Sequence, residues 1–486
     1  MSDTRRWGAS VFWSVSSTGA GQLLSLLVFF VTARYVSAAE FGQMAICLLC
    51  IELFRNVAIE GFAVAVTSRP QPQAKDFDDC FVAILLVSVA SAGAAVAAAP
   101  LVASVFGNEQ LTGLLRWMSL LLLTTGLSRA HEAWLARHFK FRTLALRSTL
   151  AVAVGGAAGI VLAMRGHGVV ALVVQQLVTA LVATLILWAG SAWVPRWRSD
   201  RASFMELWRY ARHVALTGLT NFLNTQSDVA FAAYYLDAAA TGTYHVAKRM
   251  LTAINNIIGA ALNRVALPAF AELRHDPVRM RAAFLKAVAL TSSLTAPLFA
   301  GLIVLSPEAV RVALGPRWSE SATLLSLIAA TAYLNTIGQY NHAVMLVSNK
   351  PHWQTALTAV YALSNVLLFA LVVRFGLVAL AIGFTARAVL LYPLSVGAAL
   401  RLLQLRARDY LAQLLPTLAA AAAMGLLLHA ASRHLPVQTA HLRLLVLAGL
   451  GAALYLLAML LLARRELRLL RQVAGELLAR RQVLRR

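Results

Sequence analysis

Long apolar runs alternate with short polar gaps along the chain. Most of the runs reach the roughly 20 residues that an α-helix needs to cross a bilayer. The pattern therefore predicts an all-α polytopic membrane protein with about fourteen transmembrane helices. The predicted spans are residues 9–33, 42–67, 80–105, 114–135, 143–164, 168–192, 210–236, 243–267, 284–310, 321–346, 352–373, 377–400, 410–432 and 442–463.

The composition agrees with this pattern. Of the 486 residues, 60% are hydrophobic and only 13% are charged, whereas soluble domains carry about 25% charged residues. A soluble core could not bury so much apolar surface, so the composition excludes an ordinary soluble protein.

The formal net charge of +23 would indicate a nucleic-acid partner in a soluble protein. Here the basic residues follow the spans instead. With an even number of spans, both termini and most Lys and Arg residues fall on one side of the membrane. Because positive residues concentrate on the cytoplasmic side, we predict that both termini are cytoplasmic and that no nucleic acid is bound. The opposite side receives few basic residues: Arg34, Arg165, Arg317, Arg374, Arg433 and Arg443.

Three short segments recur in the same order, with offsets of 200, 208 and 208 residues. Each lies at a turn beside a predicted span. This order predicts two homologous halves of six helices in the same orientation, related by an axis along the membrane normal. The matched pairs are Ala33–Gly42 with Ala233–Gly242, Phe106-Gly107 with Leu314-Gly315, and Gly168–Leu172 with Gly376–Leu380.

The repeat predicts a division into two six-helix lobes and two further helices, an architecture in which the lobes enclose a transport site near the midplane. The Trp and Arg residues between the lobes predict a linker that lies on the membrane surface among anionic head groups. The predicted domains are an N-terminal lobe (1–192), a cytoplasmic linker (193–209), a C-terminal lobe (210–400), two additional helices (401–463) and a basic cytoplasmic tail (464–486).

Several predicted spans carry charged and amide side chains, which are costly in a bilayer and so should face a cavity or a partner. Like charges gathered in one protein need an anion, so Arg55, Lys248 and Arg249 predict a cationic cavity for an anionic substrate. For Arg129, pairing with Glu132 as interhelical glue is an equally good interpretation, and for the single Asn positions such a helix-bridging role is the better one. The predicted substrate-binding residues are Arg55, Lys248, Arg249, Asn256, Arg129 and Asn224.

Other titratable residues in the spans are candidates for coupling transport to protons or to the membrane potential. They are Asp228, Glu60 and His245; the alternative is that they only neutralise neighbouring cations or bridge helices. The Asp76-Phe-Asp78-Asp79 run predicts a solvated acidic turn. No ATP-binding loop or zinc motif is present in the sequence, so we predict no catalytic residue, cofactor or metal.

Four motifs resemble the polysaccharide-transport branch of the multidrug/oligosaccharidyl-lipid/polysaccharide exporter superfamily, the Wzx-type flippases. The resemblance covers nearly the whole chain. The motifs are Val36–Gly42, Ala136–Arg142, Ser227-Asp228 with Gly242–Tyr244, and Leu267–Phe270. The resemblance implies a fourteen-helix, two-lobed bundle in the bacterial inner membrane that moves an undecaprenyl-pyrophosphate-linked oligosaccharide to the periplasmic leaflet.

The favoured hypothesis is thus a secondary transporter of a lipid-linked oligosaccharide for O-antigen, capsule or exopolysaccharide synthesis, acting by alternating access. Its expected partners are membrane lipids, a glycan polymerase and chain-length proteins. A drug or cation exporter of the same fold would instead carry carboxylates in its cavity. A glycan polymerase or ligase would need a large external loop, and the predicted external loops are all short.

Overall fold

The computed structural model describes residues 21–69, 72–197, 201–435, 439–469 and 472. Predictions that fall on the start of the span 9–33, on three residues of the linker 193–209 and on most of the tail 464–486 lie outside the described residues. Within the described ranges the chain is helical and contains no β-strand.

The helices are connected by short loops and follow the predicted spans. Their bounds are α1 (Gly21–Ala33), then α2 (Ala38–Phe54), α3 (Glu60–Thr67), α4 (Ala74–Val105), α5 (Gln110–Met118), α6 (Leu120–Arg137), α7 (Phe141–Met164), α8 (Val169–Gly190), α9 (Arg201–Tyr235), α10 (Ala238–Glu272), α11 (Pro277–Ala313), α12 (Ser319–Val347), α13 (Pro351–Val372), α14 (Leu377–Leu403), α15 (Ala407–His434) and α16 (Ala440–Leu462).

Among the described residues, ten helical segments are long and apolar enough to cross a membrane. The helices α9 and α10 are 35 residues long, but Asn, Thr and charged side chains lower their hydropathy. The predicted span 42–67 is divided into α2 and α3 by a π-helical turn at Arg55–Ile59. The all-α polytopic fold is therefore confirmed, and the count of about fourteen spans stays a prediction.

The glycines of two matched pairs of the repeat have positive φ angles. Gly107 and Gly315 follow α4 and α11 with φ angles of 61° and 101°, and Gly168 and Gly376 precede α8 and α14 with φ angles of 52° and 92°. This left-handed region is costly for residues with a Cβ atom. The matched turns thus share a positive φ angle at the equivalent glycine, which supports the internal repeat.

The two segments of the remaining matched pair, Ala33–Gly42 and Ala233–Gly242, are in direct contact with each other. A Cβ atom on Gly42 would lie 1.8 Å from the carbonyl oxygen of Ala238, and one on Gly242 would lie 1.8 Å from the carbonyl oxygen of Ala38. Each partner is the repeat equivalent of the other, so the contact is two-fold symmetric in sequence. Only glycine permits this approach of backbone to backbone.

The helices that start at this contact are capped at equivalent positions. The Ser37 hydroxyl and the Asp237 carboxylate accept hydrogen bonds from the backbone N–H groups of Glu40 and Ala240, at 3.4 and 2.6 Å. The Glu40 carboxylate in turn accepts a hydrogen bond from the Ser37 backbone N–H, which completes a capping box. Local sequence therefore determines where α2 and α10 begin, and the glycines determine how closely they approach.

Packing divides the chain into two compact units: unit 1 is Met1–Val246 with Thr358–Leu380, and unit 2 is Ala247–Leu357 with Ala381–Arg486. This division follows contacts rather than the repeat, so it is not the predicted division into lobes. The predicted domain boundaries stay predictions.

In unit 2, buried hydroxyl groups tie the two C-terminal helices to α11. The Ser292 hydroxyl lies 2.6 Å from that of Thr417 on α15, and the Tyr455 hydroxyl of α16 donates to the carbonyl oxygen of Ser293 at 2.9 Å. Such bonds hold helices together where lipid removes the hydrophobic driving force.

In unit 1, the linker after α8 is anchored by an aspartate. Asp78 is only 7% exposed, and it accepts hydrogen bonds from the Trp193 indole at 2.9 Å and from the Arg196 backbone N–H at 3.1 Å. Trp193 also stacks on Trp134, with ring centroids 5.5 Å apart. The predictions of a solvated acidic turn and of a surface-lying Trp193 were wrong, because the carboxylate and the indole satisfy each other in the interior.

We expect Asp78→Ala to release this linker. The Trp193 indole and the Arg196 amide would both lose their acceptor, and leaving the buried indole unpaired costs about 1–3 kcal/mol. Limited trypsin digestion of the purified protein should then cleave faster at Arg196. Asp78→Asn keeps an acceptor oxygen and serves as the matched control; equal cleavage of the alanine variant and the wild type would contradict the anchoring role.

Candidate functional site

A charged stripe runs along the helix formed by α2, the π-helical turn and α3. The turn is closed by a hydrogen bond from the Glu60 backbone N–H to the Arg55 carbonyl oxygen. This five-residue spacing rotates Glu60 towards the face of Arg55, more than an α-helical turn would. Single π-turns of this kind are frequent at functional sites.

The helix α9 packs closely against this stripe. A Cβ atom on Gly218 would lie 2.2 Å from the carbonyl oxygen of Asn56, and one on Gly61 would lie 2.7 Å from that of Ala211. Small residues allow such close helix packing in membranes. The backbone around the π-helical turn is thereby held in place by α9.

Arg129 of α6 bridges two carboxylates in the half-buried interior of unit 1. It forms a bidentate ion pair with Glu60, in which its Nε lies 3.1 Å from Oε2. Its Nη1 lies 2.8 Å from Glu132, and Glu132 in turn pairs with Arg147 of α7 at 2.9 Å. Three helices are thus joined by a chain of alternating charges, in which each group is between 24% and 33% exposed.

Arg55 also has a carboxylate partner. It pairs with Glu52 one turn before it, and the Asn56 side chain donates to Glu52 at 3.1 Å. The Arg55 side chain remains 45% exposed, so it is accessible to a ligand. We call Glu52, Arg55, Glu60, Arg129, Glu132 and Arg147 the charged cluster; its three arginines and three glutamates balance.

The predicted cations of α10 are neighbours in sequence on unit 2. Lys248 and Arg249 are both half-buried, and Asn256, two turns further on, is exposed. The amide of α10 that contacts α12 is Asn255, whose Oδ1 accepts a hydrogen bond from Thr336 at 3.2 Å. A common substrate-binding role for Arg55, Lys248, Arg249 and Asn256 stays a prediction.

Asn224 and Asp228 lie in interhelical contacts of unit 1. Asn224 of α9 accepts two hydrogen bonds from the Asn365 amide of α13, at 2.7 and 3.1 Å. Asp228 is 1% exposed and accepts a hydrogen bond from the Tyr244 hydroxyl at 2.8 Å. His245, the residue that follows Tyr244, is half-buried. These contacts favour the helix-bridging interpretation for Asn224 and Asp228.

Sequence reasoning missed Arg147 and Asn365 as partners of the site. Arg129 and Glu132 are spaced as a helical pair, and that pairing was foreseeable. The partners Glu60 and Asn365 lie 69 and 141 residues from the groups they bind. No periodicity within one helix could have indicated them.

Together, the apolar helices, the internal repeat and the ionised groups inside membrane-spanning segments define a polytopic transporter-type membrane protein. Residues 31–323 match the sequence profile of a family described as "Polysaccharide biosynthesis protein". Because the match covers more than half of the chain, the protein belongs to this family, and the family assignment made from its motifs is confirmed.

Curated relatives carry related descriptions. The chain is 29% identical over 322 residues to the succinoglycan biosynthesis transport protein ExoT of Rhizobium meliloti, covering 66% of this chain and 65% of ExoT. It is 22% identical to the lipopolysaccharide biosynthesis protein WzxC of Escherichia coli over 67% of each chain. It is 20% identical to the teichuronic acid biosynthesis protein TuaB of Bacillus subtilis, over 91% of this chain and 93% of TuaB. The match thus spans about two thirds of the length of ExoT and WzxC.

Solved structures show the same fold. The lipid II flippase MurJ in an inward closed conformation superposes with a TM-score of 0.76 at 14% identity, covering 94% of this chain and 99% of MurJ. An inward-facing multidrug transporter of the MATE family superposes with a TM-score of 0.58 at 16% identity, covering 79% of this chain and 96% of that one. The all-α transporter fold is therefore confirmed over nearly the whole chain.

Proposed function

We propose that this protein is a secondary transporter that flips a lipid-linked oligosaccharide repeat unit across the bacterial inner membrane. The observation that carries the proposal is the presence of ionised side chains within the membrane-spanning helices of a polysaccharide biosynthesis family member. Charged residues at this depth mark substrate or ion pathways. The names of ExoT and WzxC and the fold of MurJ support a lipid-linked glycan as the transported substrate.

The anionic part of the proposed substrate is an undecaprenyl pyrophosphate. Arg55, Lys248 and Arg249 bind this group, since guanidinium and ammonium groups form charge-assisted hydrogen bonds with phosphate oxygens. Asn256 is exposed on α10 and contacts the sugars. The bond of Arg55 to Glu52 keeps the guanidinium oriented without substrate and is exchanged when phosphate arrives.

The charge asymmetry of the sequence sets the proposed orientation of the protein in the membrane. Both termini are cytoplasmic in this proposal, and alternating access carries the head group from the cytoplasmic to the periplasmic leaflet. A glycan polymerase and chain-length proteins then extend the repeat unit into O-antigen, capsule or exopolysaccharide. Glu60 and Asp228 remain candidates for coupling, although their partners Arg129 and Tyr244 must release them during the cycle.

The similarity in fold to a multidrug transporter supports a second candidate, an exporter of cationic compounds. It would use the glutamates of the charged cluster to bind its cargo. The two candidates differ in the sign of the charge that must be preserved: the flippase requires the cations, and the drug exporter requires the carboxylates.

The proposal predicts a large effect of removing the cations. At matched expression, Arg55→Ala and the pair Lys248→Ala/Arg249→Ala should each lower glycan export about 10- to 100-fold, the effect of losing charge-assisted hydrogen bonds worth about 1.5–3 kcal/mol. Export is measured as surface glycan in a strain that lacks its own flippase. Arg165→Ala, which removes an exposed arginine from a predicted external turn, should export normally.

Normal export by both cation variants would refute the substrate-binding assignment. A companion measurement of resistance to cationic compounds tests the second candidate. If Glu52→Gln abolishes resistance while both cation variants keep it, the protein is a cation exporter and not a flippase.

A further inference from the structure

A cavity of about 690 Å³ lies in unit 2, and its lining includes none of the residues assigned to transport. It is lined by residues 282–289 in the N-terminal part of α11, by Gln413 of α15 and by the residues that follow α16. Its polar lining consists of Lys286, Gln413, Arg465, Glu466 and Arg468 together with Gln472. All three elements converge at the end of the helices that the sequence predicts to be cytoplasmic.

The lining has an excess of positive charge. Lys286, Arg465 and Arg468 are exposed at the cavity, and the ion pairs between described residues involve none of the three. Glu466 contributes a carboxylate and is only 5% exposed. Cations held close together without carboxylate partners repel one another, so the arrangement favours an anion.

The position of the cavity selects the kind of anion. It lies where the apolar part of each helix begins, since α16 ends at Leu462 and Arg465 follows within one turn. The same helices expose leucines in the adjacent turns: Leu411 is 47% and Leu415 58% exposed on α15, and Leu461 is 65% exposed on α16. Basic pockets at this level between membrane helices bind lipid head groups.

We propose that this cavity binds the head group of an anionic glycerophospholipid from the cytoplasmic leaflet. The phosphate contacts Lys286, Arg465 and Arg468. Hydroxyl groups of the head group donate to Glu466 and Gln413, and the acyl chains lie along the exposed leucines of α15 and α16. The cavity volume exceeds what a single phosphate ion fills. A soluble anion would also leave the neighbouring apolar surface uncovered, whereas the acyl chains of a lipid cover it.

The full-length protein, purified and exchanged into nanodiscs or mild detergent, provides the test. Native mass spectrometry should show retained phosphatidylglycerol in preference to phosphatidylcholine. Each cation removed should lower this preference roughly fivefold, and the triple variant Lys286→Gln/Arg465→Gln/Arg468→Gln should lower it roughly 100-fold. Arg279→Gln is the matched control, because Arg279 lies at the start of α11, is 74% exposed and does not line the cavity.

Two results would overturn the proposal. One is an unchanged lipid preference in the triple variant, or in the single variants if the triple variant does not yield a monodisperse protein. The other is displacement of the lipid by millimolar inorganic phosphate or pyrophosphate, which would identify a site for a soluble anion. Because the readout is lipid retention, it is independent of whether the protein flips an oligosaccharide.

Discussion

Arg129→Gln is expected to destabilise the protein and to abolish glycan export. The substitution leaves Glu60 without its guanidinium partner and leaves Glu132 with Arg147 alone, in the membrane-spanning part of unit 1. Breaking a buried ion pair costs about 3–5 kcal/mol; the partial exposure of these side chains reduces the expected loss to about 2–4 kcal/mol. The thermal midpoint of the purified variant in detergent measures this loss.

A double variant separates structure from transport. In Arg129→Gln/Glu60→Gln the lone carboxylate is removed, so the double variant should be more stable than Arg129→Gln alone. If it regains stability but not export, the charges of the Arg129–Glu60 pair are needed for transport. If it regains both, the pair is interhelical glue.

A control for the general loss of charge lies in the same unit. Arg116→Gln removes an exposed arginine of α5, and we expect it to leave both stability and export near those of the wild type. Equal stability of Arg129→Gln and Arg116→Gln would contradict the role of Arg129 in joining α3 and α6.

Gly42→Val is expected to be at least as damaging, for a reason that is steric. The first side-chain carbon would meet the Ala238 carbonyl oxygen at 1.8 Å, and the obstacle is backbone that has no rotamer to change. Overpacking of a close contact costs about 1–3 kcal/mol, and more when the backbone must move. We expect the two repeat-related turns to separate and export to be lost.

The symmetry of the contact makes this prediction specific. Gly242→Val should have the same effect as Gly42→Val, because its Cβ would meet Ala38 at the same distance. The two substitutions together should cost less than the sum of the single effects, since the first already separates the turns. Export assays and thermal midpoints of Gly42→Val, Gly242→Val and the double variant measure these effects.

Gly93→Val is the matched control, because a Cβ atom at Gly93 in α4 meets nothing within 4 Å. It should export normally. Normal export by Gly42→Val or Gly242→Val would show that the contact carries no functional constraint, and full additivity of the two effects would contradict a shared contact.

The charged residues show how far a sequence predicts a site. That Arg129 and Glu132 pair could be foreseen, because helical geometry places residues three apart on one face. That Arg129 also holds Glu60 could not, because the packing of α6 against α3 decides it. The same holds for Asp78, whose acidic neighbours indicated a solvated turn until Trp193 and Arg196 supplied its donors.

The sequence by itself determined that lipid surrounds this protein, where its helices lie and that it contains an internal repeat. Apolar runs of spanning length, caps such as Ser37, and recurring glycines are local features whose physics acts within a few residues of each other. Only the tertiary structure decided that Gly42 and Gly242 touch each other's repeat, that each arginine of the charged cluster has a carboxylate, and that Lys286 meets Arg465 and Arg468 at one cavity. The physical reason is that helix–helix packing, which no local pattern encodes, determines the partners of side chains distant in sequence.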